Sequence, residues 1–370
     1  MEKTADCSPL RIGIVGAGRI VARVHLPILS AMPGVSVAGL FDQDQTQSLL
    51  LAKKFPGVHT CLSLDELLAL QLDAVLVACP NYLHAKLSIA MLNAGVHVLC
   101  EKPMATTLAE AIDMVEAAQR NRRELMIAYA NRFRPEILLL QELVQQGKLG
   151  EIQTVRCSWL RRNGVPGTNT WFTRRTLSGG GALIDLGSHL INIALSFCPG
   201  AHLVSAQCSL NYLQERPARA SWYLAENQEE VRDFCDVEID VSGSALFVDP
   251  SYHLFLEASW DRLVERDQTS LTLIGTRGTA RIETLFGLSP HGVRPDSPLT
   301  IWTSAGREVP QIAHATDLFL PFQNQWRCFL AGIRGEYGLH SLLQGSLTTV
   351  KVIDAMYRSA AFVTPSPDQR

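Results

Sequence analysis

The chain has 370 residues, 47% of them hydrophobic and 19% charged, a globular composition that excludes a largely disordered or fibrous protein. Lys plus Arg (33) against Asp plus Glu (36) leaves a net charge of −3, so there is no global basic field to hold nucleic acid or an anionic membrane. At roughly 100–200 residues per domain, this length predicts two domains.

In chain order, the first nine residues, ending at Pro9, lack the basic-then-apolar order of a secretory signal. No later stretch approaches the ~18 uninterrupted apolar residues of a membrane span, and a cytoplasmic protein is expected. Nine cysteines form no Cys-x-x-Cys pair. Neither a disulfide framework nor a metal site is expected of them, and most should be small buried hydrophobes.

Residues 10–129 alternate short β-branched runs with longer helical patterns, the signature of βαβ units around a parallel sheet. Strands are predicted at 11–15, 35–41, 58–61, 74–78, 96–100 and 125–129. Ser63-Leu64-Asp65-Glu66 and Thr107-Leu108-Ala109-Glu110 fit capping boxes at helix starts. After a helix at 137–146 the rhythm changes to strand-like segments at 152–160, 203–210, 237–248, 253–260, 270–274, 279–283 and 299–303, which read as a largely antiparallel sheet. One helix, 182–197, interrupts them, and a last helical region runs over 321–362. The polar stretch 211–234 reads as a long loop or hairpin.

The first strand runs straight into Gly16-Ala17-Gly18-Arg19-Ile20-Val21. Glycines here permit a tight turn and let backbone N–H groups approach a pyrophosphate at a helix N-terminus, so Gly16, Gly18, Arg19 and Ile20 are candidate cofactor contacts. The third fingerprint position is Val21 rather than Gly or Ala, but the turn follows a strand and opens an apolar helical pattern, and a second strand ends in Asp42 at the expected interval. The reading is a Rossmann domain over residues 1–130. A carboxylate at Asp42 accepts from both ribose hydroxyls and repels a 2′-phosphate, which favours NAD over NADP. An Arg19 guanidinium swung toward a 2′-phosphate would oppose that preference.

Three segments follow strand ends, where an open parallel sheet presents its ligand crevice. They are Cys79-Pro80-Asn81-Tyr82-Leu83-His84, Glu101-Lys102-Pro103 and Tyr129-Ala130-Asn131-Arg132-Phe133. In the second domain, Asp185 and His189 stand at i and i+4 on one helix face. From the residues alone, a catalytic pair and a helix's own hydrogen-bonded interface pair stand level.

With these pieces in order, the chain resembles the glucose-fructose oxidoreductase, inositol dehydrogenase and rhizopine-catabolism (Gfo/Idh/MocA) oxidoreductases. Glu101-Lys102-Pro103 and Gly180-Gly181-x-x-x-Asp185-x-Gly187-x-His189 carry the resemblance, with Pro80-Asn81-x-x-His84 and the glycine turn in support. It implies an α/β chain: an N-terminal doubly wound parallel sheet, then a C-terminal α+β domain, 131–370, on a large open, mostly antiparallel sheet. That sheet would form a homodimer or homotetramer. The resemblance further implies that Lys102 contacts the reacting hydroxyl, that His189 is the acid/base with Asp185 orienting it or the substrate, and that Pro80, Asn81, His84, Glu101 and Lys102 line the cofactor. Glu101 would support Lys102, and His25 would be a helix residue near the same rim.

The segment from Trp159 to Phe172 reads as a loop arriving at the pocket. Trp171 suits stacking on a sugar ring, and Arg162 or Arg161 suits hydroxyls or a carboxylate. Arg132, after a strand end, is a third substrate candidate. The expected activity is hydride exchange between NAD(P) and a secondary alcohol or ketone of a sugar, cyclitol or related polyol. The alternatives are a glycosidase that oxidises its sugar transiently on NAD, and a non-catalytic dinucleotide-binding regulator.

Overall fold

The structure, a computed structural model, describes residues 8–162, 164–166, 170–212, 218–219, 230–231, 235–287 and 295–361. The chain forms two compact units. The first comprises the chain up to Ala105 with Ala109–Ala128 and Phe322–Leu343; the second comprises Thr106–Leu108, Tyr129–Pro321 and the chain from Gln344 onward.

In the first unit, short apolar runs become strands because helices cover both faces of the sheet, so no alternation is required of them. The strands are β1 (Leu10–Val15), β2 (Val35–Phe41), β3 (His59–Cys61), β4 (Ala74–Val77), β5 (His97–Glu101) and β6 (Leu125–Ala128). All pair in parallel, in the order β3-β2-β1-β4-β5-β6. Every residue of β4 is buried. The order reverses between β1 and β4, and the crevice beyond their carboxyl ends is where such sheets take ligands. Strand β5 runs one residue further than the periodicity predicts and ends on Glu101.

Residues 322–343 depart from the predicted division at 130/131. The helix Leu320–Ile333 buries Trp326, Phe329 and Leu330, and Trp326 hydrogen-bonds to His25 of the first unit. An apolar helix face joins whichever core it can bury against, and sequence separation does not decide which.

The second unit holds β7 (Ile152–Leu160), β8 (His202–Tyr212), β9 (Ala218–Arg219), β10 (Glu230–Val231), β11 (Glu238–Val248), β12 (Tyr252–Ser259), β13 (Gln268–Gly275), β14 (Gly278–Thr284), β15 (Leu299–Thr303) and β16 (Gly306–Glu308). Eight of them form one sheet in the order β16-β15-β14-β13-β7-β12-β11-β8, with β9 and β10 paired separately. Within the large sheet only β7 and β12 run parallel. Its strands alternate: in β12, Tyr252, Leu254 and Leu256 are buried while Phe255 points outward. Against the inner face lies the predicted helix at 182–197, which opens as a π-helical turn, Leu183–Gly187, before continuing as Ser188–Phe197. Its apolarity answers to the core, since the 18-residue window taken from Arg175–Phe197 is 89% buried.

Candidate active site

In the first unit, Gly16 adopts φ +107°, and a Cβ there would collide with the carbonyl of Ala78. The turn can pass β4 this closely only as glycine. Gly16 N–H donates to the Phe41 carbonyl at 2.8 Å, and the next N–H, of Ala17, donates to Oδ2 of Asp42 at 2.5 Å. Oδ1 of Asp42 accepts the N–H of Asp44 at 2.8 Å, so the carboxylate is pinned beside the turn at the end of β2. Gly18 is exposed, and a Cβ built on it meets nothing within 4 Å. No packing within the chain requires a glycine there. Arg19 is exposed and Ile20 half-buried at the start of the following helix.

Pro80 and Asn81 open the helix Asn81–Asn93, with Pro80 at its N-cap and Asn81 buried. His84, one turn on, is buried, with Nδ1 2.7 Å from the Pro103 carbonyl and Nε2 2.8 Å from that of Cys79. Burial pushes its pKa below the ordinary 6.5, against the pull of those two carbonyls. Both ring nitrogens face main-chain carbonyls, and a neutral imidazole donates its one N–H to one of them, so His84 lies between the loop after β4 and the turn after β5. It shapes the wall without presenting a polar atom.

Glu101 ends β5. Its Oε1 lies 2.8 Å from Nε2 of His25, and its Oε2 accepts the N–H of Lys102 at 3.1 Å. Burial raises the pKa of this carboxyl, but the hydrogen bond to His25 and the neighbouring basic groups outweigh it, and the net direction is downward. Lys102 is half-buried on the turn that follows. His25 is fully buried rather than at a rim, and its Nδ1 faces the indole N–H of Trp326 at 3.0 Å.

In the second unit, the π-turn and helix carry Asp185 and His189. Oδ2 of Asp185 accepts from Nε1 of Trp260 at 2.9 Å and lies 3.8 Å from a guanidinium nitrogen of Arg161. His189 is buried between two aromatic rings: Tyr129 meets it edge-on at 5.6 Å and Trp159 lies tilted at 5.8 Å. Arg161 stacks over Trp159 at 5.3 Å. These six residues form one connected polar and aromatic cluster. The helix start above it is capped from another strand: Oε1 of the buried Glu238 accepts from Gly181, Leu183 and the hydroxyl of Tyr357.

The other substrate candidates also belong to the second unit. Arg132 is half-buried in the 3₁₀ turn Ala130–Phe133. Arg162 is exposed and hydrogen-bonds the Glu265 carbonyl at 3.2 Å, so of the two adjacent arginines it is Arg161 that reaches Asp185. Neighbouring residues at a strand end point to opposite sides, which separates them. Trp171 stacks on Phe172 at 3.7 Å in the second unit. Asn163 and residues 167–169 of this loop, and most of the polar stretch 213–234, lie outside the described residues.

Sequence reasoning missed Trp260, Glu238, Tyr357 and Trp326. None belongs to a short motif: Trp260, Glu238 and Tyr357 reach the helix of the second unit, and Trp326 reaches His25 in the first, from far along the chain.

The oxidoreductase family model with an NAD-binding Rossmann fold, Gfo/Idh/MocA, matches residues 10–129, and the C-terminal domain model of the same family matches residues 137–281. A protein of Amycolatopsis mediterranei provisionally named UDP-kanosamine synthase oxidoreductase subunit is 34% identical over 300 residues, 80% of this chain and 81% of that one. The D-glucoside 3-dehydrogenase of Escherichia coli is 35% identical over 196 residues, 53% of this chain and 56% of that one. Among solved structures, GenD2 from gentamicin A biosynthesis, in complex with NAD, superposes with a TM-score of 0.76 at 24% identity, covering 96% of this chain and 95% of that one.

Proposed function

Because the chain belongs to the Gfo/Idh/MocA family of NAD(P)-binding oxidoreductases, we propose that it interconverts a secondary alcohol and a ketone on a sugar or cyclitol ring, with NAD as the preferred cofactor. The carrying observation is the cluster on the helix of the second unit, where a buried imidazole stands between two aromatic rings beside an indole-anchored carboxylate.

The glycine turn fits a dinucleotide. The space beside Gly18 is what a backbone must leave for a pyrophosphate, and Asp42 is fixed where it would accept ribose hydroxyls and repel a 2′-phosphate. Gly16, Gly18, Arg19, Ile20, Asp42, Pro80 and Asn81 would hold the cofactor, which when bound supplies the hydride acceptor or donor.

Lys102 would place a cation against the oxygen that becomes an alkoxide. His189 would take or return the hydroxyl proton at an imidazole nitrogen, the proton exchange for which this side chain is suited. Asp185, held by Trp260, would fix the substrate or the ring. Tyr129 and Trp159 keep water from the imidazole, which strengthens each of these interactions. Arg161, and with it Arg132 and Trp171, would recognise the rest of the ring. The names of the two relatives, one a glucoside 3-dehydrogenase, support a hexose-derived substrate.

The large sheet exposes Phe255 and Trp302, and pairing of subunits through this sheet in a dimer or tetramer is part of the proposal. Light scattering on the purified protein reads that directly.

The test of the activity is to denature purified protein, identify the released dinucleotide, and assay NADH formation across glycosides, free hexoses and inositols. NADH accumulation with one of them supports the reading. Release of an aglycone without NADH would make the protein a glycosidase of the same fold, and bound NAD with no turnover of any compound would make it a binding protein.

A further inference from the structure

The hydrogen bonds around His25 have one consistent assignment. An indole N–H has no acceptor capacity, so Trp326 donates to Nδ1 of His25 across 3.0 Å. A ring nitrogen that accepts carries no hydrogen, and the ring's one hydrogen therefore sits on Nε2, 2.8 Å from Oε1 of Glu101. That places a donor on a carboxylate. The other carboxylate oxygen takes the N–H of Lys102 at 3.1 Å, so both oxygens of Glu101 are engaged. Reversing the tautomer sets N–H against N–H at Trp326 and a lone pair against a carboxylate oxygen at Glu101, two repulsions at about 3 Å.

Bulk water has no access to replace a lost partner. His25 and Trp326 are both fully buried, and the rings of Phe322 and Trp326 pack edge-on to the imidazole at 6.1 and 5.9 Å. The titratable groups that act on Glu101 are His25, Lys102 and His84, and His84 is held by its own two carbonyls.

We propose that Trp326 is a positioning residue for the Glu101–Lys102 turn, acting by locking His25 in the tautomer that donates to Glu101. The chain runs from an indole late in the sequence, through an imidazole and a carboxylate, to the peptide N–H of the lysine that would face the reacting oxygen. His25 and Glu101 are then intermediates in the same brace, and neither is an acid or base. The inference rests on the role proposed for Lys102. It goes beyond that role by assigning the tuning of the lysine's placement to a residue that touches neither cofactor nor substrate.

The experiment combines imidazole nitrogen NMR with kinetics. In the wild-type protein His25, identified by the signal that disappears in His25→Gln, shows only the Nε2–H tautomer, and this measurement requires no folded Trp326 variant. In Trp326→Phe the Nδ1–H form appears. In that variant kcat falls roughly tenfold while the Kd for NAD stays within about twofold, the pattern of a displaced reacting group rather than a lost binding contact. His25→Gln, which can still donate to Glu101, retains more activity than His25→Ala, whose kcat falls about a hundredfold. An Nδ1–H wild-type signal, or a Trp326→Phe enzyme with wild-type kcat, overturns the proposal. A fully active Lys102→Met enzyme overturns instead the role given to the lysine, and the wild-type tautomer signal, which does not depend on turnover, tells the two failures apart.

Discussion

Tyr357 donates its hydroxyl to Oε1 of Glu238 at 2.7 Å, onto the same oxygen that takes the N–H groups of Gly181 at 2.9 Å and Leu183 at 3.1 Å. Neither Ala182 nor Gly187 caps this helix with a side chain. A carboxyl from β11 satisfies its orphan donors instead, and through them sets the height of Asp185 and His189.

That carboxyl has a measurable signature. Burial pushes its pKa above the ordinary value of 4.5, against hydrogen bonds from Tyr357, Gly181 and Leu183. A raised carboxyl contributes stability that is full below about 4.5 and is lost as pH rises through the folded value. Glu238→Gln keeps an oxygen for the same donors and does not ionise. The melting temperature of wild type relative to Glu238→Gln should therefore decline from pH 4 to pH 8. A difference that stays constant over that range would show that the Glu238 carboxyl titrates alike in the folded and unfolded chain, and that its pKa is not raised by folding.

Two glycines should separate packing from ligand binding. A Cβ on Gly181 would collide with the Glu238 main-chain carbonyl, whereas one on Gly18 meets nothing. Gly181→Ala is expected to cost about 1–3 kcal/mol or more of stability. Gly18→Ala should leave unfolding within about 0.5 kcal/mol of wild type while its Cβ occupies pyrophosphate space, weakening NAD at least tenfold by calorimetry. A Gly18→Ala protein that binds NAD normally would move the cofactor away from this turn.

The proposed preference for NAD rests on Asp42. Asp42→Ala removes the ribose acceptor and the repulsion of a 2′-phosphate together. A hydrogen bond to a charged group contributes roughly 1.5–3 kcal/mol, so kcat/KM with NAD should fall about 10- to 100-fold while that with NADP rises. An unchanged ratio of the two would assign the preference elsewhere, with Arg19 the first residue to examine.

His189→Ala should lower kcat by roughly 10²–10⁴ with folding intact. Trp260→Phe removes the donor that anchors Asp185 together with part of a fully buried side chain, and in protein that is still folded a loss of about tenfold is expected. A loss smaller than tenfold in His189→Ala would remove the histidine from the acid/base role.

Much of this was legible in the residues. The strands of the first sheet show as apolar runs, and Gly16, Asp42, Glu101, Lys102, Asp185 and His189 all stand in short motifs whose spacing reflects one strand end or one helix face. The supporting residues were not legible. Trp260 reaches Asp185 from 75 positions away and Trp326 reaches His25 from 301, and no local period encodes such a meeting. The predicted helix at 182–197 was right in extent but not in its opening turn, because a π-helical start leaves the apolar pattern almost unchanged. The division of the last helical region had the same cause, since amphipathicity shows that a face will be buried without naming its partner.

The placement of Phe322–Leu343 in the first unit sets an order of events during synthesis. Chains emerge N-terminus first, and domains generally fold as they appear. Here the nucleotide-binding unit can assemble its parallel sheet early but leaves the imidazole of His25 uncovered until the ribosome has released almost the whole of the second unit. A chain cut short before Trp326 would therefore yield a first unit whose parallel sheet can form but whose His25 lacks its indole partner.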